Sequence, residues 1–489
     1  MSLSTIRRER LRRPVREMLA GAVATFALIP EVIAFSFAAG VDPQVGLFAS
    51  FVIGIVIAFA GGRPAMISAA AGSVALVAAP LVYAHGLQYL LAAGALAGVV
   101  QILFGLFRLG VLMCFVSKSV RTGFVNALAI LIFGAQVPHV IGGGPATYAV
   151  LAAGLVLIYL VPRVTTAIPS PLICILVLTI ASTWLDLPVK TVADLGQLPS
   201  SLPVFAWPSV PLNLDTLRII AGPALAIAMV GLLESLMTAS VVDDLTDTPS
   251  SKNRECSGLG VANVAASLFG GIAGCGMIGQ TVSNVKYGGR GRLSTLFAGA
   301  LLLILMVLLK PVVSQVPVAA LVAIMVMVSI DTFDWSSLRT LIVHPKMSSA
   351  VMAATVLVTI ASSNLALGVA VGVLLSGVFF AFKVARLMRI EVENDEAAQR
   401  LTFRVFGQVF FASSDMFVDS FDVRDGEGRR VLIDVSEAHF WDITAVAALE
   451  KVVQRFKAHG VDTEVIGANA ASSTLIERLN KSELLGERG

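Results

Sequence analysis

Charge is scarce in this sequence. Only 14% of its 489 residues are Asp, Glu, Lys or Arg, well below the ~25% usual for soluble domains. With 56% hydrophobic residues and a mean hydropathy of +0.86, a soluble globular protein is excluded and a polytopic membrane protein is implied. Cysteine is also sparse. Cys114, Cys174, Cys256 and Cys275 have neither paired nor metal-type spacing, so they read as small apolar packing residues rather than disulfides or ligands. The five histidines form no zinc motif, and no metal site is implied. No G-x-x-x-x-G-K-[ST] run occurs, which argues against an ATP-driven motor. No nucleophile–base pair is visible, so an enzyme is the weakest reading, and nothing points to nucleic acid. A basic arm, "RRERLRRPVRE", precedes the first apolar run. It imitates a signal peptide, but another span follows almost at once.

Apolar runs separated by charged or Pro/Gly breaks predict fourteen spans. Seven centre near residues 28, 52, 74, 98, 127, 154 and 176, and seven near 229, 263, 279, 303, 322, 355 and 374. The long connection between the halves runs from Asp186 to Arg218. With the N-terminus inside, inner connections hold most of the basic residues, among them Arg63, Lys118, Arg121, Lys252, Arg254, Arg290 and Arg292. Outer ones hold only Lys190, Arg218 and Lys310. That asymmetry supports this orientation and the even number of spans, so both termini are expected on the cytoplasmic side of the plasma membrane. The expected layout is an arm at 1–16, a transport domain at 17–389 with repeats at about 17–185 and 218–385, and a soluble domain at 390–489. In that last part "RRVLIDVS" and "VDTEVIGA" read as strands, and "AVAALEKVVQRFKAHG" and "SSTLIERLN" as helices. The alternation implies a small α/β domain with parallel pairing.

Two carboxyls stand inside apolar runs, Glu31 in "ALIPEVIAFSFAAG" and Glu234 in "AMVGLLESLMTAS". Two small-residue stretches also recur, "SAAAGSVALVAAP" at 68–80 and "AGCGMIGQTVSNV" at 273–285. The order is the same in both halves. An odd number of spans per half makes the second copy enter upside down. Inverted repeats with interrupted helices in matching positions point to a transporter site at the midplane. A broken span leaves free N–H groups and a positive dipole end, which suit an anion. Gly72 and Ser73 would open one half-helix, and Gly279, Gln280 and Thr281 the other. The plainer alternative is that the small residues only let helices pack closely. The matched pair favours the site.

These stretches resemble the SulP family of anion transporters. "IPEVIAFSFAAGVDPQVGLFASF" looks like the family's first-span signature, "GQTVSNVKYGGRGRLS" like its tenth, and "VLIDVSEAHFWDITAVAALE" like the core of a STAS domain. The resemblance implies seven-plus-seven inverted repeats, with spans 3 and 10 interrupted and preceded by short strands. It also implies a mobile core against a scaffold, and a homodimer. The implied substrates are anions such as sulfate, bicarbonate, chloride and dicarboxylates. Phe35 matches an aromatic that lines the anion site, and Ser73, Val74 and Ala75 match the start of the third span. Gly279 and Gln280 stand where many members carry Ser-Arg. The missing Arg removes a fixed charge, while Gln280 still donates hydrogen bonds. Many members have Gln where this chain has Glu31. A carboxylate at the bilayer centre costs ~2.5–3.5 kcal/mol on insertion scales, so it is a functional candidate by default. Glu234 has Thr238 one turn later, and the pair reads as a Na⁺ ligand, a proton carrier or an anchor. In the STAS-like part, Asp442 is followed by Ile443 and Thr444 instead of the Ser that single-domain relatives phosphorylate.

The resulting expectation is proton-coupled symport of a small oxyanion or dicarboxylate by alternating access. A proton or sodium is the coupling ion and no cofactor is required. The alternatives are an uncoupled exchanger or channel, a nucleobase-type proton symporter, and a membrane-anchored STAS regulator. The bilayer and a cytoplasmic regulator bound through the STAS-like domain complete the expected partners.

Overall fold

The structure is a computed structural model that describes residues 3–164, 169–199, 201–343 and 346–479. The first two residues of the basic arm, and 480–489 of the predicted soluble domain, lie outside the described residues, as does the Cys114 side chain. The chain divides into two compact units, Met1–Val373 and Leu374–Gly489.

In the first half the order is α1 (Leu3–Ala38), α2 (Pro43–Ala60), β1 (Ser68–Ala69), α3 (Gly72–His85), α4 (Leu87–Leu106), α5 (Lys118–Val140), α6 (Pro145–Val164) and α7 (Ser170–Trp184). After the short α8 (Val192–Leu195), the second half runs α9 (Leu214–Thr246), α10 (Lys252–Leu268), β2 (Cys275–Gly276), α11 (Ile278–Lys286), α12 (Arg292–Leu308) and α13 (Lys310–Val313). It continues with α14 (Val318–Thr332), α15 (Ser336–Val343), α16 (Lys346–Ser362) and α17 (Leu365–Ala385). Each of the span centres expected from the sequence falls within a helix. Among the described residues, eight helices are long and apolar enough to cross a membrane, and four more are apolar but shorter.

One expectation shifts. The connection between the halves ends before Arg218, because Asn213 caps α9 by accepting from Thr216 N at 2.8 Å. That loop is stitched to the start of α14 by Val192 N to Val316 O and Val318 N to Lys190 O.

Packing sorts the helices of the first unit into two groups. One contains α1–α4 with α9–α12; the other contains α5–α7 with α14 and α16. The first is held at close range by glycine. A Cβ added to Gly98 of α4 would lie 2.6 Å from Gly260 O of α10, and one added to Gly260 would lie 2.4 Å from Gly98 O. Such approach maximises dispersion contact where lipid offers no hydrophobic drive. The second group has its own core, where Val150, Ile158, Cys174 and Leu178 meet Ala320 and Ile324.

The second unit holds the end of α17 and a four-stranded sheet in the order β3–β4–β5–β6. The strands are β3 (Arg389–Asp395), β4 (Arg400–Val409), β5 (Arg430–Phe440) and β6 (Thr463–Ile466), and the helices are α18 (Ser414–Asp419), α19 (Ile443–Ala458) and α20 (Ala470–Arg478). The parallel β5–β6 pair and both helices stand where the sequence places them. The hairpin β3–β4 is an addition to the sequence reading. β3 is exposed almost throughout and shows no buried face, whereas β4 alternates buried Leu401, Phe403 and Val405 with more exposed residues, a period-2 signal that was available. Asp442 caps α19 through Ala445 N at 2.9 Å and accepts Phe411 N at 2.8 Å.

Candidate functional site

β1 and β2 pair antiparallel, Ser68 opposite Gly276 and Ala69 opposite Cys275. Met277 N extends the contact to Ile67 O at 2.8 Å. Extended backbone among apolar helices cannot leave its N–H and C=O groups unpaired, so each strand satisfies the other. Just beyond the ladder both chains turn helical, α3 after Ala71 and α11 after Met277. The first helical bonds are Ala75 N to Ala71 O at 2.9 Å and Thr281 N to Met277 O at 3.1 Å. The N–H groups of Gly72, Ser73 and Val74, and of Ile278, Gly279 and Gln280, therefore precede the two hydrogen-bond ladders.

Two of the expected ligands have other partners. The Ala75 and Thr281 N–H groups belong to the helices. The Thr281 hydroxyl is also committed, accepting from Ile67 N at 2.9 Å and contacting Ile67 O at 3.3 Å. Ile278 takes a place that the sequence reading did not give it. Fixing the helix start at the first residue after the extended Met277 would have found it.

The side chains cross between the two halves of the chain. The Gln280 side chain, at the start of α11, lies close to the Glu31 carboxyl on α1. In the mirrored arrangement, Ser73 at the start of α3 donates to Oε2 of Glu234 on α9. Cys275 Sγ donates to the same oxygen at 3.1 Å. Each half's acid thus lies at the helix start of the other half. Glu31 is half-buried, Gln280 buried, and Gly279 exposed. Nothing lies within 4 Å of a Cβ placed on Gly279, whereas one on Gly72 would meet the Phe35 ring at 2.6 Å. Glycine is needed at 72 to admit the aromatic, and the room at 279 is open.

Thr238 also has a fixed task. Its hydroxyl contacts Glu234 O at 2.8 Å and Gly276 O at 3.1 Å, tying α9 to β2. Ser235 assists by accepting Gly276 N at 2.8 Å.

A second set of buried polar groups holds the strands, and the sequence reading missed it. Asn263 on α10 accepts Gly274 N at 2.9 Å and donates to Gly274 O at 3.1 Å and Gln101 Oε1 at 2.8 Å. Ser50 accepts Ala70 N at 3.1 Å. Polar side chains within apolar runs were the available signal. Between α2 and β1, Arg63 pairs with Asp243 at 3.1 Å, and its own N–H donates to Glu255 Oε2 at 3.0 Å. Burial lowers the Arg63 pKa, Asp243 raises it and Arg290 lowers it. Among the described residues no cluster of His, Cys, Asp and Glu is arranged to hold a metal ion.

Comparison with known proteins decides the family. The Sulfate permease family model matches residues 15–150 and 145–355, and the STAS domain model matches 389–486. The chain belongs to the sulfate permease family. A curated relative, the putative sulfate transporter YbaR of Bacillus subtilis, is 50% identical over 464 residues, spanning 95% of this chain and 96% of the relative. The fold of the first unit is similar to the transmembrane domain of a cyanobacterium bicarbonate transporter BicA, with 25% identity, TM-score 0.66, and coverage of 75% of this chain and 98% of that one. The structure of SLC26A9 shares the fold over 96% of this chain and 87% of that one, with TM-score 0.81 and 17% identity. The family is one of membrane transporters rather than enzymes, and this member is of the bacterial type with a C-terminal STAS domain.

Proposed function

We propose that this sulfate permease family member is a proton-coupled symporter of a small oxyanion or dicarboxylate. The anion sits between the free N–H groups of α3 and those of α11, beside Phe35 and Gly279. The feature that supports this reading is the closeness of the Gln280 amide, at the start of α11, to the Glu31 carboxyl. An amide donor suited to an oxyanion and an acid suited to a proton share one place, so the two ligands act on the same groups. Ionised Glu31 repels an anion and takes up the Gln280 amide. Protonated Glu31 admits the anion and frees that amide. Proton and anion binding then strengthen each other reciprocally. Glu234 has its Oε2 engaged by Ser73 and Cys275, which favours an anchoring role over coupling. The names of YbaR and BicA support sulfate and bicarbonate as first candidates.

The same reading includes fourteen membrane crossings in seven-plus-seven inverted repeats, with the N-terminus inside. α3 and α11 are its interrupted third and tenth crossings. At ~1.5 Å per residue, the nine residues of α11 reach well short of a ~30 Å hydrocarbon core. The two helix groups move against each other in alternating access. A homodimer in the plasma membrane and regulation through the STAS domain follow from the family resemblance.

The test is anion binding to purified Gln280→Ala and Gln280→Arg. Gln280→Ala should weaken binding about tenfold, the loss of roughly one hydrogen bond to a charged group, while the fold stays intact. Gln280→Arg should move the protein toward uncoupled exchange. Unchanged affinity in both places the site elsewhere.

A further inference from the structure

Away from the paired half-helices, a cavity of about 320 Å³ lies between the starts of α5, α15 and α16. Its size falls at the low end of the ~300–1,000 Å³ range of small-molecule sites. Its walls are hydroxyl-rich and carry one ammonium, Lys118. Lys118 makes no ion pair among the described residues, and the hydroxyls of Ser119, Thr122 and Ser348 have no hydrogen-bond partner there. The Ser337 hydroxyl accepts Asn126 Nδ2 at 2.7 Å, which leaves its own proton to give. The one carboxylate, Asp334, is engaged by the first turn of α15, accepting Ser336 N at 3.1 Å and Ser336 Oγ at 2.5 Å. Beside the cavity, α15 and the residue before it expose Trp335, Leu338 and Leu341, an apolar face with the aromatic expected at a membrane–water boundary.

We propose that this cavity binds a phosphate group, carried by an anionic phospholipid headgroup or by a free phosphate ion. Lys118 supplies the charge, and Ser119, Thr122, Ser337 and Ser348 supply short neutral donors. A phosphate offers several acceptor oxygens and matches a set in which donors outnumber acceptors. Basic pockets between membrane helices on the cytoplasmic side are where headgroups bind, and the proposed inner orientation puts Lys118 there. The site joins the starts of α5, α15 and α16, so occupancy braces α5 and α16 of one helix group.

Thermal unfolding of the lipid-stripped full chain in detergent tests this, with dihexanoyl-phosphatidylglycerol in one arm and inorganic phosphate in the other. The variants are Lys118→Gln with Ser119→Ala, and Ser348→Glu, which sets a negative charge in the cavity wall. A rise in Tm with phosphatidylglycerol that needs roughly tenfold more lipid in Lys118→Gln/Ser119→Ala and disappears in Ser348→Glu supports a headgroup site. The same pattern with inorganic phosphate alone supports a free-ion site. A phosphate effect that is lost in Gln280→Ala but not in the cavity variants belongs to the transport site. That result, no shift in either arm, or shifts that survive unchanged in both cavity variants, overturns the proposal. Transport by the cavity variants separates it from the symport reading, because that reading predicts intact proton-driven uptake in both.

Discussion

At the scale of single residues, the two halves of the chain put the same acid to different ends. Glu234 is closed in by a hydroxyl and a thiol, while Glu31 faces an amide beside an exposed glycine. The two glycines at the helix starts make a matched test. At Gly72 an added methyl collides with the Phe35 ring at 2.6 Å, and overpacking of this kind costs ~1–3 kcal/mol. At Gly279 the methyl meets nothing within 4 Å. Gly72→Ala should therefore lower thermal stability. Gly279→Ala should leave stability unchanged and raise the KM for the anion, because the methyl takes room proposed for substrate. Thermal melts and uptake kinetics on the same preparations check both halves of that contrast.

At the scale of elements, the site depends on two strands of two residues each. They lie beneath two helix starts, and buried side chains fasten them on every side. Thr281 secures Ile67, Thr238 and Ser235 secure Gly276, and Asn263 secures Gly274. Thr281→Val keeps the volume and removes the bonds, leaving the Ile67 N–H buried and unpaired. Such a group costs ~1–3 kcal/mol, so a lower Tm and weaker anion binding should appear together. A fall in neither would mean that the strand pair does not position the site.

The helix starts were legible in the sequence because glycine and small polar residues interrupt long apolar runs. Both acids were legible because a carboxyl in such a run is costly. The strands themselves were not, since two buried residues show no periodicity, and only the family resemblance implied them. Nor was the crossing of partners legible. That Glu31 lies near Gln280 while Glu234 meets Ser73 depends on how the two halves of the chain interleave, and no spacing along one chain encodes it. The backbone partners of the Thr281 and Thr238 hydroxyls were not legible for a related reason, although anchoring was one of the roles the sequence left open for Thr238. A hydroxyl beside a site looks like a ligand until its backbone partner is known.

At the scale of the whole molecule, the sheet unit has its own core around Phe403, Ile433 and Phe456, and the membrane unit has separate cores. Neither core needs the other to bury its apolar residues. A chain stopped after Arg389 should therefore still bind the anion with near-normal affinity, measured by equilibrium binding, even where its transport rate falls. A well-folded truncated protein without affinity for any anion would show that the site is not contained in the membrane unit.

The central claim is that one carboxyl, Glu31, couples the anion to the proton. Uptake should rise as external pH falls, because protonated Glu31 is the form proposed to admit the anion. The most direct measurement is uptake of labelled sulfate and bicarbonate into proteoliposomes under an imposed proton gradient, comparing the unmodified protein with Glu31→Gln and Glu234→Gln. The account predicts that Glu31→Gln binds the anion but loses both its pH dependence and its gradient-driven accumulation. Accumulation by Glu31→Gln with an intact pH profile, together with its loss in Glu234→Gln, would contradict it and move the coupling to the other repeat.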